Sequence, residues 1–200
     1  MQGRRGNIVI VFGALATLVA SPGTYAADLR EISVELADDR YRLVSETYFD
    51  VPREDLYEVL TNFDLFAKFS SAIVESSNKP ADGDGRPGFY QRMEGCVLLF
   101  CKSFIRNGYV LTTPEVEIIA VSDPELSDFE YSRERWQLIP EGEGTLLIYD
   151  FEMDPRFWIP PVVGPYFLKR ALKDGGARAV DRIEALAMQV RTAEVQQEDR

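Results

Sequence analysis

Histidine is absent from all 200 residues. That gap removes Ser-His-Asp and Cys-His catalysis, and every zinc site that needs an imidazole. Acid–base work would fall to carboxylates, tyrosine, lysine or cysteine. Positive charge is also scarce: 22 Lys and Arg stand against 33 acidic residues, a formal charge of −11. Nucleic acid is therefore excluded as a partner, because its phosphates require a basic surface. Broad adhesion to anionic lipid is disfavoured, although a local patch can still act. Cysteine is limited to Cys96 and Cys101. Clustered metal-binding carboxylates are missing too. Asp82-Gly83-Asp84-Gly85 lacks the remaining ligands of a calcium loop and reads as a turn. No metal and no cofactor is expected.

Apolar residues, by contrast, make up 46% of the chain and include twelve Phe, enough for one well-filled domain. The first 26 residues have the organisation of a secretory signal. Arg4 and Arg5 supply a basic start, Ile8–Ala20 is a thirteen-residue apolar run, and Ser21-Pro22-Gly23 breaks it. Thr24-Tyr25-Ala26 then places small residues at the −3 and −1 positions of a cleavage site. The run is shorter than the roughly 20 residues of a membrane span, and a retained N-terminal anchor is the alternative. Residues 1–26 are thus expected to direct export, most simply to a periplasm. Residues 27–193 form the domain and 194–200 a polar tail.

Along that domain, Ile32–Val51 alternates around Val34, Leu36, Tyr41, Leu43, Val44, Tyr48 and Phe49. This is one long strand or a hairpin turning at Ala37-Asp38-Asp39-Arg40. A helix begins at Asp50-Val51-Pro52, with Glu54 and Asp55 complementing its dipole. Leu56, Val59, Leu60 and Phe63 follow at helical spacing, and a second short helix covers Leu65–Phe69. Six strands come next: Ala72–Asn78, Phe89–Cys96, Cys101–Thr112, Val116–Ser122, Phe129–Ile139 and Thr145–Met153. Pro- and Gly-bearing turns separate them, so the sheet should be antiparallel. A long helix over Val163–Arg191 closes the chain, interrupted at Gly175-Gly176. The two cysteines bracket Val97-Leu98-Leu99-Phe100. On one straight strand they would lie about 16 Å apart on opposite faces; at a hairpin tip they would face each other across neighbouring strands.

The order of these elements resembles the START-like or polyketide cyclase/dehydrase (SRPBCC) superfamily, an α+β helix-grip fold. There a curved antiparallel sheet wraps a long C-terminal helix. Tyr48–Phe63 is similar to its first strand and helix, and Phe66-Ala67-Lys68-Phe69 to its following "Y-x-x-F" element. Trp136-Gln137-Leu138-Ile139-Pro140, then Gly144-Thr145, is similar to its "W-x-F-x-P…G-T" hairpin. The nearest branch looks like the coenzyme Q-binding and ribosome-associated toxin group, although an export signal argues against a ribosomal target. Such a fold supports many functions.

The resemblance implies a cavity between sheet and long helix. Its candidate lining is Trp136, Leu147, Tyr149, Phe151, Met153, Arg135, Tyr166 and Leu172. Arg92, Glu94, Arg133 and Glu134 are further polar candidates. The function expected is binding of an apolar or amphipathic small molecule such as a lipid or isoprenoid, with no dedicated catalytic residue. The alternatives are a cyclase/dehydrase-like enzyme, using Tyr149 with Asp150 or Glu152, and a ligand-free interaction domain. The resemblance also sets a hairpin turn on Val97–Phe100, which with export implies a Cys96–Cys101 disulfide. Leu98, Leu99 and Phe100 at that tip, with Phe157 and Trp158 in the proline-rich stretch before the last helix, are candidates for contact with a membrane surface or partner. Oligomeric state is left open by the sequence.

Overall fold

In the computed structural model the described residues are 27–37, 40–97, 100–158 and 164–198. The expected leader, Leu98 and Leu99 lie outside them. The Ile32–Val51 segment is a hairpin, β1 (Asp28–Ala37) and β2 (Arg40–Phe49), joined where the acidic turn was expected. Pro52 then caps α1 (Arg53–Thr61), whose first turn carries Glu54 and Asp55, where negative charge opposes the helix dipole. A 3₁₀ turn at Phe63–Leu65 leads into α2 (Phe66–Phe69). The remaining strands are β3 (Ile73–Lys79), β4 (Gly88–Val97), β5 (Phe100–Thr113), β6 (Glu117–Ser122), β7 (Phe129–Glu141) and β8 (Gly144–Pro155). A final helix, α3, spans Gly164–Glu198. It extends past the expected end at Arg191, so the backbone of the polar segment Glu194–Glu198 is helical.

All eight strands form one curved antiparallel sheet in the order β1-β2-β8-β7-β6-β5-β4-β3. Strict alternation of buried and open positions along β7, with Ser132, Glu134, Trp136 and Leu138 all buried, defines an inner and an outer face. The core lies between the inner face and the helices. Phe63 stacks on Phe66 at 4.4 Å and on Phe89 at 4.7 Å, and Trp136 meets Phe66 edge-on at 6.0 Å. Val180, Ile183 and Ala187 supply the buried stripe of α3.

Two local features fix this geometry. Glu184, on the same stretch of α3, is 5% exposed. Its Oε1 accepts from the Asp50 backbone N–H at 2.9 Å and its Oε2 from that of Ala27 at 3.2 Å. At Gly108 on β5, a Cβ would lie 1.9 Å from the Val121 carbonyl oxygen of β6, so only glycine allows the two backbones to approach this closely.

The sequence pattern treats Gly175-Gly176 as an interruption, yet α3 passes through both in regular helix. A Cβ on either would meet nothing nearer than 3.8 Å. Gly175→Ala and Gly176→Ala are therefore each expected to stabilise the fold by about 1 kcal/mol. The melting temperature should rise by roughly 2–4 °C per substitution, read by calorimetry. A fall in either variant would mean that the helix needs flexibility there.

Candidate functional site

The inner face changes character along its length. At the end covered by α1 and α2 it is mainly apolar, with Thr47 and Thr145 the buried polar exceptions; further along β4, β5, β7 and β8 it carries a buried polar cluster centred on Arg106. This arginine is 0% exposed. Alternation sets it in line with Phe104 and Val110 on β5, positions a half-buried strand normally fills with apolar residues. A buried guanidinium needs compensation, and each neighbouring strand supplies part of it. Gln91, directly opposite on β4, accepts from Nη1 at 2.9 Å. Ser132 Oγ on β7 accepts from Nε at 2.9 Å. Glu134 Oε2 lies 2.6 Å from Nη1 as the counter-charge. Phe89 and Phe151 flank the guanidinium, their ring centroids 5.4 and 5.0 Å from its central carbon.

Tyr149 on β8 completes the cluster by donating its hydroxyl to Glu134 Oε1 at 2.7 Å. Burial, followed by the adjacent Glu134 carboxylate, holds this phenol well above its ordinary titration range. At neutral pH it is a fixed hydrogen-bond donor, not a base. Because the folded-state value is raised, the stability this preference supports is present below the unfolded tyrosine value of about 10 and is lost as pH climbs above it. Stability should accordingly fall as pH rises above about 10, and Tyr149→Phe should flatten that fall in urea titrations. An unchanged slope in Tyr149→Phe would remove Tyr149 as its source.

Two donors in the cluster, Arg106 Nη2 and Gln91 Nε2, are buried without a hydrogen-bond partner among the described residues. Buried polar groups are almost always paired, so these two donors call for an acceptor that the described residues do not supply. Carbonyl, carboxylate and phosphate oxygens all have the required chemistry. Arg106, which can present a planar fork, is the stronger of the two.

Several residues expected from the sequence do come together here. Cross-strand register pairs Trp136 with Tyr149, Leu138 with Leu147, Glu134 with Phe151 and Ser132 with Met153. The rings of Trp136 and Tyr149 are 5.7 Å apart. Arg135 does not join them: it lies on the outer face, paired with Glu117 at 2.5 Å, because an odd step along β7 reverses the side chain. Asp150 likewise points outward to Arg42 at 2.6 Å, with Glu152 3.8 Å from the same arginine. The carboxylate beside Tyr149 is therefore Glu134, from the neighbouring strand. Arg92 pairs in the open with Glu75 and Glu94, each at 3.2 Å.

Tyr166 is 64% exposed on the first turn of α3. The side chain of Leu172 lies outside the described residues, as does that of Phe100. Phe157 is packed inward, its ring 5.2 Å from Phe104 and 5.8 Å from Phe129 with Lys102 Nζ 4.7 Å above it. Trp158 beside it is 80% exposed. Register sets Cys96 directly opposite Cys101 on the β4–β5 hairpin, which removes the straight-strand alternative. A separate open groove of about 440 Å³ is lined by Lys79, Arg86, Asn107, Tyr109 and Glu130, among others. Its arginine is already engaged, with Asp82 at 2.7 Å and over the Tyr109 ring at 3.8 Å.

Arg106 and Gln91 did not emerge from the sequence reading. The signal available was parity: Arg106 falls in the apolar phase of β5, Glu134 in that of β7 and Gln91 in that of β4, opposite charges and an amide in otherwise buried rows. No single strand reveals this, because which rows become neighbours depends on the sheet order.

Comparison with known proteins agrees with this architecture. The human STARD10 structure superposes with a TM-score of 0.59 at 14% identity, covering 86% of this chain and 76% of that one. A STAR-related lipid transfer protein from Xanthomonas axonopodis gives 0.58 at 14% identity, covering 83% and 99%. The Zhui aromatase/cyclase from Streptomyces sp. R1128 gives 0.55 at 11% identity, covering 75% and 94%. At such identities the likeness is one of fold. No curated protein sequence matches the chain. A sequence profile matches residues 40–187, from the start of β2 to the buried stripe of α3, and by that match the chain belongs to the polyketide cyclase / dehydrase and lipid transport family.

Proposed function

We propose that this protein is an exported binding module for an amphipathic, lipophilic small molecule. The ligand's apolar part would lie between the inner face and α3, and its polar head would accept hydrogen bonds from Arg106 and Gln91. The observation carrying this reading is the pair of unpartnered buried donors, Arg106 Nη2 and Gln91 Nε2, on the inner face of the sheet. Burial of the apolar part would supply affinity at about 25 cal/mol per Å², and the two donors would set the orientation of the head. Family membership supports the ligand class at this coarse level. The test is native mass spectrometry of the protein purified from the envelope of its own cells, with solvent extraction of anything bound. A stoichiometric amphipathic molecule is expected, and its occupancy should drop in Gln91→Leu. A protein that is empty under these conditions overturns the reading.

A cyclase or dehydrase activity is the second reading, favoured by the Glu134–Tyr149 pair at 2.7 Å. The extracted molecule separates the two: a mass change on incubation with fresh protein indicates turnover, and an unchanged mass indicates binding alone.

Export carries two further expectations. Cys96 and Cys101 would form a disulfide, so alkylation without reductant should add no mass to the exported protein. Leu98, Leu99, Phe100 and the exposed Trp158 would contact the membrane during ligand exchange. In that case Leu99→Ser should weaken binding to phospholipid vesicles.

A further inference from the structure

Among the described residues, Glu184 is a carboxylate without a cation. It is 5% exposed in the middle of α3, where a lone charge is costly. No Lys or Arg side chain among the described residues lies within ion-pair distance of it. Both of its hydrogen bonds come from backbone N–H groups, those of Asp50 and Ala27. The charged side chains on the elements around it do not correct the imbalance. Asp28 on β1 and Asp50 after β2 are acids, while Arg30 on β1, Arg42 on β2 and Arg53 on α1 are engaged with Glu141 at 2.6 Å, Asp150 at 2.6 Å and Glu54 at 3.2 Å.

Ala27 is also the residue that follows the expected signal-cleavage bond. We propose that removal of residues 1–26 turns the Ala27–Glu184 hydrogen bond into a buried ion pair, in which the new α-ammonium of Ala27 neutralises Glu184. Hydrolysis adds one water across the Ala26–Ala27 amide. The leader leaves with a carboxylate, and Ala27 keeps an amine that takes up a proton at neutral pH. The nitrogen is already 3.2 Å from Oε2, so no rearrangement of the fold is needed. The missing cation is thus made by processing. Maturation would fasten the residue just before β1 to the centre of α3, the helix that covers the inner face. This inference rests on the export reading above.

The experiment starts from the full chain expressed with its leader. Intact mass of the exported protein should correspond to a chain beginning at Ala27. With ¹³C-labelled alanine, the α-amine is titrated through the Ala27 methyl shift. It should hold its proton at least tenfold more tightly than an ordinary N-terminus, which titrates near about 8. Glu184→Gln, which keeps an oxygen acceptor but removes the charge, should return it to that range. A protein that is not exported fails the export reading and this inference together. A protein exported but cut elsewhere fails this inference alone. An Ala27 amine that titrates in the ordinary range, which needs only the wild type, also overturns the ion pair while leaving export standing.

Discussion

Arg106→Met is expected to destabilise the fold by about 3–5 kcal/mol, because it strips the counter-charge from a carboxylate that remains buried. Glu134 is 6% exposed, and after the substitution its remaining hydrogen bond would be the one from Tyr149. The Gln91 and Ser132 oxygens would lose their donors at the same time. Methionine matches the arginine stem but not the guanidinium, so a smaller packing loss accompanies the electrostatic term. The second substitution isolates that term. Arg106→Met with Glu134→Leu removes both charges, and buried pairs replaced by apolar residues are often close to neutral. The double variant should therefore be more stable than Arg106→Met alone, a coupling of at least about 2 kcal/mol in a double-mutant cycle. Urea midpoints at constant slope supply the measurement. A single-variant loss below about 1 kcal/mol would show that the guanidinium is not the pivot of the inner face.

Gly108→Ala should be comparably severe for a different reason. The added methyl would sit 1.9 Å from the Val121 carbonyl oxygen and 2.8 Å from the Ser122 Cα. These obstacles are backbone, so no rotamer change can relieve them. β5 and β6 would have to separate at the point where Gly108 pairs with Ser122 and Tyr109 with Val121, in the interior of the sheet. Overpacking a core usually costs about 1–3 kcal/mol; a clash with a neighbouring strand's backbone belongs at or above the top of that range. Arg106 is two residues away on the same strand, so the polar cluster should loosen as well. The measurable result is a loss of at least about 3 kcal/mol in chemical denaturation. A near-neutral Gly108→Ala would mean that β5 and β6 can part without consequence.

Much of the architecture is legible in the residues because it is written locally. Turns such as Thr113-Pro114-Glu115 and Glu141-Gly142-Glu143-Gly144 punctuate the strands, and alternation along β8 correctly sorts Leu147, Tyr149 and Phe151 onto one face. Where a face had to be chosen among charged neighbours, the outcome divided: Glu134 turned inward and Arg135 outward, a matter of one residue of parity. The Arg106 cluster is not local at all. Gln91, Arg106, Glu134 and Tyr149 come from four strands, and only the completed sheet makes them neighbours. The same holds for Glu184, which reads as one more acid on a helix until Ala27 and Asp50 arrive from the far end of the chain.

The strand order bears on how the chain reaches this state. Among the described residues, six of the seven strand pairings join neighbours in sequence; the exception is β2 with β8, which sets Tyr41 opposite Met153. The meander from β3 to β8 can grow by successive short hairpins. The β1–β2 hairpin can dock only after the whole meander has been synthesised, closing a loop of roughly a hundred residues between Phe49 and Thr145. Loop-closure entropy rises with length and must be met before the distant contacts reward it. Folding in the millisecond-to-second range, with this docking as the slow step, is the expected regime. Until then the edge of β8 that β2 will cover stays open to other strands. For a chain that crosses a membrane unfolded, that interval would begin on the far side.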